Sequence, residues 1–112
     1  MVALTAPPPP VAHVLVFAKE FQLNPSRTHV LAGRVVFQLR NIGEDDHDLA
    51  VAPASAPIGT TTYRTTGIVH SGGLGTLRLT MRPGRYRLFC SVANHAQQGM
   101  QAIFTVRPRS HR

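Results

Sequence analysis

The chain has 112 residues, a net charge of +7 and a single cysteine, which excludes an intrachain disulfide. That length fits one domain able to bury its own core. The composition is rich in Val, Thr, Leu and Phe, punctuated by Gly and Pro and without Trp, and the absence of long Ala/Glu/Lys runs points to an all-β protein. No stretch is apolar for about 18 residues, so no transmembrane helix is expected.

In chain order, Met1 to Ala6 precede four prolines, Pro7 to Pro10. This start has no charged n-region and too short an apolar part for a signal peptide. The prolines read as an extended spacer, either a disordered leader or the stub of a tether whose signal or anchor is absent from this chain. The expected layout is a Pro-rich leader over residues 1–10, one domain over 11–107 and a basic tail over 108–112. Val11 to Phe17 is a strand by its β-branched content. Phe21-Gln22-Leu23 continues it in alternation, up to the turn signal Asn24-Pro25-Ser26. Thr28 to Leu31 leads to a turn at Ala32-Gly33. Arg34 to Asn41 is the clearest strand, with Val35, Phe37 and Leu39 on one face. Asp48 to Ala52 is a short strand with Leu49 and Val51 on one face. Residues 53–75 read as a long loop, with an edge strand over Thr61 to Thr65. Thr76 to Thr80 alternates, Arg82-Pro83-Gly84 turns, Arg85 to Cys90 alternates again, and Gln101 to Val106 closes the fold. Seven to eight strands at this spacing predict a Greek-key β-sandwich.

Almost all the positive charge is arginine, scattered over Arg27, Arg34, Arg40, Arg64, Arg78, Arg82, Arg85 and Arg87. No nucleic-acid motif accompanies it, and outward positions on strands account for most of it. The excess favours an acidic protein partner or an anionic membrane surface. Four of the five acids fall in Glu44 to Asp48, which makes an acidic loop on a basic body.

Cys90 is followed by His95 and then Met100 on one short segment. Thiolate, imidazole and thioether are the ligand types of a rapid one-electron copper site, and a trigonal His₂Cys set with a long axial Met is the blue-copper arrangement. Tyr86, Leu88 and Cys90 share a face, so Cys90 points into the core at a strand end. The loop from 90 to 100 then joins two adjacent strands and can curl around one ion. His47 has the parity of Leu49 and Val51 and faces inward as the second histidine. Taken singly, each residue has a plainer explanation: an inert buried Cys, a core or surface His, a gap-filling Met. The ordered set is what is specific. His13, His29, His70 and His111 do not join it. Gln97 and Gln98 are alternative axial donors, and a structural zinc site is chemically open.

The segments Pro83 to Cys90, His95 and Gly99-Met100, with Asn41-Ile42-Gly43 and His47-Asp48-Leu49, resemble the cupredoxin family, and within it the plastocyanin-, auracyanin- and sulfocyanin-like blue copper proteins. The likeness runs from about Val14 to Val106. It implies a type 1 copper with His47, Cys90 and His95 equatorial and Met100 axial. The gap of four residues between Cys90 and His95 is longer than the two of plant plastocyanin and closer to bacterial and archaeal members. The family often has Asn where this chain has Asp48; a bond from Asp48 to Ser91 would lock the two sides of the site together.

The expected function is a soluble, monomeric one-electron carrier rather than an enzyme, with His95 as the electron exit and the small Ala93 and Ala96 leaving its edge accessible. The alternatives are a copper chaperone or storage module, or an accessory domain of a copper oxidoreductase. The partner expected from charge is a cytochrome or oxidase with an acidic face, with no role for nucleic acid. The resemblance implies a place outside the cytoplasm.

Overall fold

A computed structural model describes residues 8–57 and 63–109. The leader up to residue 7, Thr61 and Thr62 of the expected edge strand, and His111 in the tail lie outside the described residues. The described chain is all-β, with nine strands: β1 Ala12–Lys19, β2 Gln22–Pro25, β3 His29–Leu31, β4 Gly33–Asn41, β5 Ala50–Pro53, β6 Arg64–Thr65, β7 Leu74–Met81, β8 Gly84–Phe89 and β9 Gln101–Arg107. They form two mixed sheets, ordered β2-β1-β4-β7 and β3-β9-β8-β5-β6. β1 runs parallel to β4, and β3 parallel to β9. The count exceeds seven to eight because the stretch read as one continued strand from Val11 to Leu23 is two strands, β1 and β2.

Alternation sets the core between the sheets. Val35, Phe37, Leu39 and Asn41 of β4 are buried while Arg34, Gln38 and Arg40 are exposed. Phe37 meets Phe104 of β9 edge-on, ring centroids 5.3 Å apart. Burying a ring of this size contributes about 2–3 kcal/mol, and this pair joins one sheet to the other. β5 is different, because Ala50, Val51 and Ala52 are all buried. Its outer face is covered by Phe89, Ala96, Ala56 and Tyr63, so part of the segment read as a plain loop is a lid on that sheet.

One expectation needs correction. Phe21 to Leu23 does not continue the first strand: the chain reverses at Glu20-Phe21, and β2 pairs antiparallel to β1 with Lys19 opposite Gln22. The reversal carries no Gly, Pro or Asn, which is why alternation seemed to run through it. The chain just beyond the last strand is held to the sandwich as well. Arg107 ends β9, and Arg109 Nε donates to the Ala32 carbonyl at 2.8 Å.

Candidate metal centre

β8 and β9 are antiparallel neighbours, so the segment 90–100 leaves and re-enters the same edge of the sandwich. The Cys90 amide donates to the Met100 carbonyl at 3.1 Å, and the Met100 amide to the His95 carbonyl at 3.1 Å. These bonds curl the loop back on itself. Gly99 sits at φ +118°, a left-handed conformation that side chains rarely adopt. Cys90 and Met100 are fully buried, as the strand parity requires. Gln97 and Gln98 are exposed.

His47 arrives from the other side. Its amide donates to the Val69 carbonyl at 3.2 Å and its carbonyl accepts the Val69 amide at 2.7 Å, an isolated bridge that fixes the backbone. The ring is fully buried. Its Nδ1 lies 3.8 Å from Cys90 Sγ, and His95 Nδ1 lies 3.6 Å from the same sulfur. Among the described residues, these three side chains form one group of donors within 4.8 Å of each other. An ion bonded to imidazole at about 2.0 Å and to thiolate at about 2.3 Å, with trigonal to tetrahedral angles, holds N and S about 3.5–3.7 Å apart. The observed spacings fit an ion at the centre. Burial raises the Cys90 thiol above its ordinary value, with Asp48 adding charge in the same direction; a bound cation reverses that preference and takes the thiolate.

The surroundings clasp the donors. Asp48 is buried and accepts the Ser91 amide on Oδ1 at 2.6 Å, while its Oδ2 accepts the hydroxyls of Ser91 and of Thr65, the latter at 3.0 Å. The expected tie between the two sides of the site is therefore present. The Asp48 amide also donates to Cys90 Sγ at 3.5 Å. Asn41 caps the acidic loop, its Oδ1 accepting the Gly43 amide at 2.9 Å and its Nδ2 donating to the carbonyls of Asp45 at 2.8 Å and Val69 at 2.9 Å.

Sequence reasoning missed the β1–β2 turn. Glu20 Oε2 lies 2.8 Å from His47 Nε2. Its Oε1 accepts the amides of Glu44 and of Asp45, the latter at 3.1 Å. The His47 bond first, and then the Glu44 amide, hold the Glu20 carboxyl down at about 2, well below its ordinary value. Phe21 lies against His95, ring centroids 5.2 Å apart. The available signal was that Glu20 is the one acid outside the 44–48 cluster. The edge of His95 is consequently covered rather than open. The residue is only 7% exposed, with Phe21 on one side and Asp45 Oδ2 3.7 Å from Nε2. Ala96, expected to leave that edge free, is itself buried. His13, His29 and His70 are exposed and stand apart from the donor group.

Solved structures share this architecture. Auracyanin B superimposes with a TM-score of 0.69 at 17% identity, over 94% of each chain. Auracyanin A, a "blue" copper protein from Chloroflexus aurantiacus, gives 0.67 at 15% identity, over 88% of this chain and all of its own. The reduced auracyanin of Roseiflexus castenholzii gives 0.63 at 16% identity, over 88% of this chain and 97% of that one. The chain has the cupredoxin fold. A copper-containing nitrite reductase from Thermus scotoductus also matches, with a TM-score of 0.66 at 18% identity, but over only 29% of its length. No protein-family model matches the sequence, and a comparison with curated proteins finds no match.

Proposed function

We propose that the protein is a one-electron carrier holding a single type 1 copper ion. His47 Nδ1, Cys90 Sγ and His95 Nδ1 would hold the ion, with the Met100 thioether as a fourth donor. The observation that carries this reading is the buried triangle of two imidazole nitrogens around one thiol sulfur, 3.6 and 3.8 Å from it, with buried Met100 on the same loop. Soft thiolate and thioether with imidazole is a copper donor set. A bound copper ion supplies the Cu(II)/Cu(I) couple, taking one electron from a donor protein and passing one to an acceptor. The chain supplies rigidity: Asp48, Asn41 and the Val69 bridge hold the donors, so little need move when the charge changes.

The test is titration of metal-free protein with Cu(II). An intense blue thiolate-to-copper band is expected, and Cys90→Ser should abolish it; a colourless Cu(II) complex would sink the reading. One observation favours a second reading. The fold also matches part of larger copper enzymes, and this chain spans 45% of the multicopper oxidase chain. Size-exclusion of the natural protein from its source separates the two: a free carrier elutes near the 12.2 kDa of this chain, a domain with the mass of a larger assembly.

With its net charge of +7, the carrier would dock on an acidic face of a cytochrome or oxidase, or on an anionic membrane, outside the cytoplasm and as a monomer. Association should slow steeply with added salt, since screening shortens to about 8 Å at physiological ionic strength. Rates unchanged from low to high salt would rule this docking mode out.

A further inference from the structure

We propose that Glu20 is a positioning residue of the metal centre, one that aims the His47 ring and biases a bound copper ion toward its oxidised state; this rests on the copper reading above. His47 presents Nδ1 to the thiol and Nε2 to Glu20. With Nδ1 committed to an ion, Nε2 carries the proton and donates to the carboxylate. A carboxylate behind a ligating imidazole fixes ring orientation and raises the basicity of the ligand. It also places negative charge beside the ion, which favours the higher metal charge.

Two independent features show that the carboxylate is seated rather than casually near. Its other oxygen accepts the amides of Glu44 and Asp45, which ties the β1–β2 turn to the loop carrying His47. Gly43 provides the room: a Cβ at that position would collide with the Glu20 carboxylate oxygens and carbon. Gly43 does not sit in the left-handed region, so the requirement for glycine here is space. The same turn reaches the third ligand, because Phe21 packs on His95 and the Phe21 carbonyl oxygen lies 3.1 Å from where a Gly99 Cβ would be.

The experiment compares copper-loaded wild type with Glu20→Gln, Glu20→Ala and Gly43→Ala. Glu20→Gln keeps an oxygen acceptor for both amides, removes the charge, and turns an NH₂ donor toward His47 Nε2 in place of the second carboxylate oxygen. Its blue band should persist, while its reduction potential rises above wild type. Glu20→Ala should show the same rise and, in addition, release copper to a chelator about ten-fold faster or more, the usual scale for losing such a partner. Gly43→Ala keeps the glutamate but pushes it off its seat, and should behave like Glu20→Ala. In metal-free protein, ¹⁵N NMR should find the His47 proton on Nε2 in wild type and a mixture of tautomers in Glu20→Ala. A blue wild type with the potential, copper release and His47 tautomer unchanged in all three variants overturns the assignment of Glu20. A wild type that never turns blue overturns the copper reading instead, and the tautomer measurement still reports on the Glu20–His47 bond.

Discussion

The β8–β9 loop and the β1–β2 turn both touch the metal centre, and they do so in opposite ways. The loop carries three of the four proposed donors close together in sequence: Cys90, His95 and Met100 stand at intervals of five. The turn contributes no donor. It reaches the site across the fold, with Glu20 27 residues from His47, and decides how the donors are aimed and how much of them water can reach. Three of the four proposed ligands are thus local information, whereas His47 and the orientation and shielding of the whole set depend on which strands become neighbours.

That contrast can be broken at either region. The largest effect outside the ligands is expected at Asp48, which clasps the Cys90 strand end through Ser91. Asp48→Ala should lower unfolding free energy by about 2–3 kcal/mol, the combined cost of lost charge-assisted bonds and an unpaired Ser91 amide. Urea unfolding of metal-free protein measures it, and an unshifted midpoint would mean the clasp contributes nothing. A smaller effect is expected at the turn. Phe21→Ala should cost about 1 kcal/mol and speed oxidation of the reduced protein by a small anionic oxidant, because it uncovers His95. If stopped-flow rates stay at the wild-type value, Phe21 is not the shield.

Much of the site was legible because strand parity is a strict constraint. Tyr86, Leu88 and Cys90 on one face placed the thiol in the core, and the same parity placed His47 inward. Two kinds of feature were not legible. One is the reversal at Glu20-Phe21, which has no turn residue to announce it and so looked like continued strand. The other is Val69, whose pairing with His47 comes from a segment of small and polar residues with no period. The exposure expected for His95 failed for the same reason: Ala93 and Ala96 are indeed small, but the group that covers the ring comes from a part of the chain that no local pattern connects to it.

The acidic residues have a further consequence. Glu20, bonded to Glu44 and Asp45, completes the set, so all five acids of the chain gather at the metal end. Arg34, Arg82, Arg85, Arg107 and Arg109 lie toward the opposite end, where β8 begins beside the close of β9. About 20 Å of strand separates the two ends. The protein is therefore an electric dipole as well as a cation. Near an anionic membrane it would feel a torque that turns the arginine end toward the lipid and leaves the metal end facing outward, so of the two docking surfaces proposed above this charge pattern favours the membrane, with its orientation set before the first contact is made.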